Sequence, residues 1–388
     1  MGNKMTVYAD NAATTKISPA ALKAMLPYLD EAYANPSSIH SAGKAAADAV
    51  YRARVELAEN LGCLPNELYF TSGGSEANNQ AILTAAEIGA AENKKHIITS
   101  KIEHPSVLRV LKRLGTQGYE ITLLDVGENG IVSPADVERA IRPDTCLVTI
   151  MAANNEIGTI QPAAEIGEIC RKFSVLFHTD AVSAAGYIDI KPGALCADLL
   201  SLSAHKFHGP KGIGLLYAKK GVMPSQLILG GSQERGRRAG TLNVPAIVGM
   251  AAAFSEACVN MAKENQKIAR LRDKIIEGLL SIPGAKLHGD RTRRLAGNIN
   301  VGFGGISGES LLLALDSFGI MVSTGSACEA GAAEPSHVLL ALGLSEKEAK
   351  SAIRITLGRY NTELEANYIV ECTAKAVGRL RSIANLEF

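Results

Sequence analysis

The stretch DLLSLSAHKFHGPKG, residues 198–212, decides how the rest of the chain reads. It opens as an apolar, β-prone run, Asp198 to Leu202, and stops abruptly in Ser203-Ala204-His205-Lys206. Runs of the same kind lie on both sides: Glu67 to Thr71, His96 to Ser100, Tyr119 to Leu124, Cys146 to Ala152, Val175 to Thr179 and Gly212 to Ala218. Helical stretches separate most of them. Such alternation predicts an α/β fold with a large, mainly parallel sheet covered by helices.

Further outward, Ser18-Pro19 reads as an N-cap and first helical residue of a helix to about Tyr33, and a second helix from about Ser41 ends at Leu61-Gly62. From about Phe254 the pattern changes to a long charged helix, then strand candidates Asn298 to Phe303 and Gly319 to Ser323, then helices. The 388 residues suffice for two or three domains at roughly 150 residues each. The expected division is a large α/β domain over 15–257 and a smaller α+β domain made of 1–14 and 258–388.

Composition narrows the function classes. Apolar residues make up 47% and charged residues 20%, with Lys+Arg 40 against Asp+Glu 39, which argues against nucleic acid or an anionic membrane as partner. The run Arg291-Thr292-Arg293-Arg294 lacks interleaved aromatics and reads as a solvated loop. No apolar export segment opens the chain, and the apolar stretch Ala246 to Phe254 is about half of the ~20 residues that span a bilayer, so a soluble, cytoplasmic protein is expected. The 7 cysteines are odd in number and contain no C-x-x-C pair, which fits a reducing compartment.

Ligands of open α/β sheets bind outside the carboxyl ends of the strands. There the chain carries Thr71-Ser72-Gly73-Gly74-Ser75-Glu76, whose glycines and helix-start amides suit a phosphate; Glu103-His104-Pro105; the amides Asn154-Asn155; Asp180; and Ser203 to Gly212 with Lys206. Singly, each has a bland reading as cap, turn or surface charge. On one rim they combine a phosphate cradle, an aromatic His, an acid and a lysine able to form a Schiff base, the set that pyridoxal phosphate requires. A dinucleotide cofactor would need G-x-G-x-x-G after a first strand, which is absent, and His205 and His208 have no further ligand at metal-site spacing. Far along the chain, Cys328 sits in the small-residue run Thr324-Gly325-Ser326-Ala327-Cys328-Glu329-Ala330-Gly331, unlike a core cysteine among bulky neighbours; the other six read as packing.

These residues, together with Asp10-Asn11-Ala12-Ala13-Thr14-Thr15, Asn35-Pro36-Ser37-Ser38, Asn154-Asn155-Glu156-Ile157-Gly158, His178-Thr179-Asp180-Ala181, Gly236-Arg237-Arg238-Ala239-Gly240-Thr241, Glu334-Pro335-Ser336 and Arg354-Ile355-Thr356-Leu357-Gly358-Arg359, resemble the class V pyridoxal-phosphate cysteine desulfurases of NifS/IscS type over essentially the whole chain. The resemblance implies a fold-type I pyridoxal-phosphate transferase that turns L-cysteine into L-alanine. It implies Lys206 as the Schiff-base lysine, Asp180 on the pyridine nitrogen and His104 stacked on the ring. Asn155 and Ser183 would lie near the phenolic oxygen. Gly74, Ser75, Ser203 and His205 would hold the phosphate, joined by Thr241 from the second subunit of a homodimer. Arg354 would pair with the substrate carboxylate, with Asn11 and Asn155 near it, and Cys328 would take the sulfur as a persulfide. The implied partner is a sulfur acceptor, an iron-sulfur scaffold or a tRNA-thiolation protein.

The chain departs from the pattern in places. Ser183 stands where the family usually has a glutamine, Ala204 where Gly is frequent, and Glu329 puts an acid beside Cys328, which disfavours its thiolate. Little tail follows the last helix for docking a scaffold. A selenocysteine lyase or class V aminotransferase would share the cofactor site, and a low-turnover sulfur carrier would keep the fold.

Overall fold

Side-chain caps and prolines set where the first elements begin. The computed structural model, which describes residues 5–324 and 334–384, opens with strand β1 (Val7–Tyr8). Helix α1 (Pro19–Leu29) follows, capped by Ser18 Oγ, which accepts from the Ala21 N–H at 3.1 Å. It stops short of the expected Tyr33, with Pro27 in its last turn. Helix α2 (Ser41–Leu61) buries Ala46, Ala49, Val50, Ala53 and Leu57 at helical spacing.

The chain then runs through β2 (Leu68–Thr71), α3 (Gly74–Ala91), β3 (His96–Ser100), α4 (Pro105–Gly115), β4 (Glu120–Leu124), α5 (Pro134–Ala140), β5 (Thr145–Thr149), α6 (Ala163–Lys172), β6 (Leu176–Asp180), β7 (Leu199–Ser203) and β8 (Gly214–Ala218). These strands form one sheet in the order β2-β8-β7-β6-β5-β3-β4. Only β8 runs antiparallel to its neighbours, β2 and β7. Every residue of β3, β5, β7 and β8 is buried, as a sheet covered on both faces requires, whereas Glu120 on the edge strand β4 is exposed.

Helix α7 (Val244–Leu280) is continuous over 37 residues and begins earlier than expected, because the apolar stretch 246–254 is its own buried first half. By length and composition this helix is apolar enough to cross a membrane. Its first half packs against α1, α2 and Phe207 in the core that also holds Leu57, Leu202 and Leu215. Its second half, with Ile268, Leu271, Ile275, Ile276 and Leu279, belongs to a separate core with Ile299, Val301, Ile353 and Ile355.

That second core is built on β9 (Ala285–Leu287), β10 (Asn298–Phe303), α8 (Gly308–Ser317), β11 (Ile320–Met321), β12 (Ser323–Thr324), α9 (His337–Ala341), α10 (Glu346–Lys350), β13 (Ala352–Thr356) and α11 (Glu363–Ala384). Strands β12-β13-β10-β9 form an antiparallel sheet, and β1 pairs in parallel with β11. Three expectations change. The run 319–323 divides into β11 and β12, which join different sheets, and β13 is a strand where helices were expected. Within the charge run, Arg291 and Arg293 are exposed but Arg294 is buried, because its guanidinium donates to the carbonyls of Ile157 at 2.8 Å, Asp290 at 2.7 Å and His288 at 2.5 Å.

Candidate active site

The last residue of β6 carries the site's acid. Asp180 is 6% exposed; its Oδ1 accepts from the Val182 N–H at 2.9 Å and its Oδ2 from the Asn78 amide of α3 at 2.6 Å. Each carboxylate oxygen thus accepts from a donor fixed by the fold. His104, after β3, is the N-cap of α4, its Nδ1 accepting from the Ser106 N–H at 3.1 Å and lying 2.7 Å from Ser106 Oγ. Burial pushes its pKa below the ordinary value, Asp180 pulls it up, and the Lys206 charge adds to the lowering.

The strand-end segment after β7 turns in a single 3-10 turn, Ala204–Lys206. Lys206 Nζ donates to the carbonyls of Ala12 and, at 3.0 Å, Ala13. His205 Nδ1 is 3.2 Å from Thr14 Oγ1, and burial followed by the Lys206 charge pushes its pKa down to about 4. Ser203 is buried beside the start of α3, where Gly73 is an N-cap with no side-chain bond to the first-turn amides. A Cβ on Gly74 would lie 2.6 Å from Val182 Cγ2 and 3.5 Å from Ser203 Cβ, so only glycine fits where the start of α3 packs against these two side chains. Ser75 next to it is exposed. Arg238 spans from the loop ahead of α7 to Glu76 of α3 at 2.9 Å, which brings that loop toward the same helix start; Thr241 beyond it is exposed in the single chain.

Arg354, central in β13, has a side chain 3% exposed; its Nη2 lies 3.1 Å from Asp10 Oδ1 and its Nη1 donates to the Asn155 carbonyl at 3.3 Å. Its buried Nε has no acceptor among the described residues. A narrow cleft is lined by Asn11, Asn155, Ser183, Tyr187, Lys206, Asn298 and Thr356, so residues distant in the chain converge on Lys206. Asn11 itself is buried and donates to the Thr356 carbonyl at 2.9 Å. Asn154, the other amide, is fully buried and satisfied, donating to the Ile102 carbonyl and accepting from Glu156 and Ile157 N–H groups, which makes it structural.

These donors fit a phosphorylated pyridine cofactor. The uncapped amides and Ser203 suit a dianion, Asp180 a protonated ring nitrogen, and His104 a ring face. The unsatisfied Nε of Arg354 suits a carboxylate. Cys328 lies outside the described residues. Burial raises the thiols of Cys63 and Cys170 to about 12 and of Cys146 and Cys258 to about 11, as expected of packing cysteines. Sequence reasoning passed over Asn78, Ser106 and Asp10 as functional side chains. Asn78 follows the glycine turn by one helical turn, the spacing that aims a side chain back toward it.

Over residues 7–369 the chain matches the family model described as Aminotransferase class-V. It is 49% identical over 380 residues to a cysteine desulfurase IscS of Methanosarcina thermophila, which covers 98% of this chain and 94% of that protein. A solved NifS-like protein superposes with a TM-score of 0.91 at 39% identity, covering 97% of this chain and 100% of its own. A second solved structure, described as SspA in complex with cysteine, gives a TM-score of 0.82 at 37% identity over 92% of this chain and 100% of its own.

Proposed function

From the premise that this chain belongs to the class-V aminotransferase family, we propose that it is a pyridoxal-phosphate-dependent cysteine desulfurase. It converts L-cysteine to L-alanine and carries the sulfur as a persulfide on Cys328 to an acceptor protein. The observation that carries this reading is the convergence of Lys206, Asp180, His104 and the start of α3 at Gly74 beside Ser203 at one end of the large sheet, with the Arg354 guanidinium close by.

When bound, the cofactor supplies an electron sink that labilises the bonds at the substrate Cα. The protein's side chains do the rest. Asp180 holds positive charge at the ring nitrogen, His104 covers the ring face, and Gly74, Ser75, Ser203 and His205 hold the phosphate with Thr241 of a second subunit in a homodimer. Arg354 receives the substrate carboxylate in exchange for part of its contact with Asp10, with Asn11 and Asn155 beside it. Lys206 moves the proton from Cα. The thiolate of Cys328 attacks the substrate sulfur; an S–S bond forms, the C–S bond breaks, and the electron pair and a proton end on the β-carbon of alanine. Ser183, shorter than glutamine, would reach the cofactor's oxygen only through an intervening water.

We place the protein in the cytoplasm, with an iron-sulfur scaffold or a tRNA-thiolation protein as acceptor. The division into 15–257 and 1–14 with 258–388 is part of the same reading, with α7 shared between the two cores. A Lys206→Ala variant tests the site. It is expected to lose the visible absorption of bound cofactor after dialysis, and an unchanged, dialysis-resistant band of the same wavelength would refute the assignment.

A further inference from the structure

We infer that Asn78 and Ser106 are positioning residues: they form a one-way chain of hydrogen bonds that holds His104 as the neutral imidazole protonated on Nε2 and ties it to Asp180. This deepens the reading of the site given above.

The polarity of the chain follows from donor counting. Asn78, 1% exposed, gives one amide hydrogen to Asp180 Oδ2 at 2.6 Å and the other to Ser106 Oγ at 2.8 Å. The flipped amide would set its oxygen against the carboxylate, so this orientation is fixed. Ser106 Oγ, having accepted, spends its single hydrogen on His104 Nδ1 at 2.7 Å, and the Ser106 N–H adds a second donor to the same nitrogen at 3.1 Å. With two donors on Nδ1 the proton resides on Nε2. Protonating Nδ1 would require the Ser106 hydroxyl to turn away and the backbone donor to be abandoned.

The chain sets the tautomer, adds to the resistance to protonation that burial gives His104, and mechanically couples the stacking residue to the ring-nitrogen acid. Charged and titratable groups also face His104: Asp180 from β6, Lys206 after β7, His337 at the start of α9 and Arg109 further along α4. Glu103, the preceding residue, turns its carboxyl away to Ser100 Oγ and the Met151 N–H. All of them remain when Ser106 alone is changed.

Nitrogen-15 NMR of the imidazoles in the full chain, with His104→Gln for assignment, tests the inference. Wild-type His104 is expected to show a protonated Nε2 and an accepting Nδ1. In Ser106→Ala its protonation midpoint should rise by roughly half to one pH unit, the scale of one neutral hydrogen bond, and Ser106→Thr should restore it. A wild-type proton on Nδ1, or an unchanged midpoint in Ser106→Ala, would overturn it. The spectra are recorded with and without pyridoxal phosphate. Failure to bind that cofactor counts against the proposed function, while the cofactor-free spectra still decide the inference.

Discussion

Among the described residues, the buried cation Arg354 pairs with the carboxylate of Asp10 but finds no acceptor for its Nε, so it is not fully satisfied. A buried donor left unpaired costs about 1–3 kcal/mol, so an incoming carboxylate gains from that position as well as from charge. Lysine keeps the charge but loses the planar fork. Arg354→Lys is therefore expected to raise KM for L-cysteine by on the order of 10- to 100-fold, the range given by a charged hydrogen bond of about 1.5–3 kcal/mol, with a smaller change in kcat. Steady-state kinetics on the purified variant checks this, and an unchanged KM would remove Arg354 from substrate binding.

At the scale of elements, the strand that ends in Asp180 is pinned from both sides. His178, fully buried in β6, lies 2.8 Å from Thr149 Oγ1 of β5 through Nδ1 and 3.0 Å from Ser201 Oγ of β7 through Nε2. His178→Phe keeps an aromatic ring but strands both hydroxyls, at roughly 1–3 kcal/mol each. Urea unfolding should show a loss of about 2–5 kcal/mol, and a loss below about 1 kcal/mol would mean that water or a neighbour replaces the imidazole. The central strands were legible in sequence to within one to three residues, β5 ending at Thr149 rather than Ala152, because their burial on both faces leaves nearly continuous apolar runs. Strand β13 was not, since Ala352–Thr356 carries Arg354 at its centre and adjoins a helix of 5 residues, Glu346–Lys350. Its extended form comes from pairing with Asn298–Gly302, which no local window contains. Arg294 was misread for the same reason: the carbonyl of Ile157 that accepts from it lies 137 residues away.

For the whole molecule, α7 stitches two of the apolar cores together, and burial of several histidines makes the assembly sensitive to acid. Burial pushes His178 down to about 3 and His205, His208 and His288 down to about 4. Their folded values lie below the ordinary ~6.5, so the stability they contribute is present above that pH and is lost as pH falls toward the folded values. Glu103 acts in the opposite sense: burial raises it to about 8, and its contribution is lost as pH rises through that value. The histidines outnumber it, so the melting temperature at pH 5 is expected to lie below that at pH 7; scanning calorimetry showing an equal or higher value at pH 5 would contradict this. Much of the site was legible before the fold, because strand-end positions for His104, Asp180 and Lys206 follow from the alternation of elements alone. The pairing of Asp10 with Arg354 and the chain through Asn78 and Ser106 were not, because they join segments that meet only when the sheet and the second core are assembled.

The most direct test of desulfuration supplies the full chain, loaded with pyridoxal phosphate, with L-cysteine and a thiol reductant, and counts products. The wild-type protein is expected to release alanine and sulfide in equal amounts, and Cys328→Ala to keep the cofactor absorption while releasing neither. Undiminished alanine from Cys328→Ala, or pyruvate in place of alanine from the wild type, would contradict it.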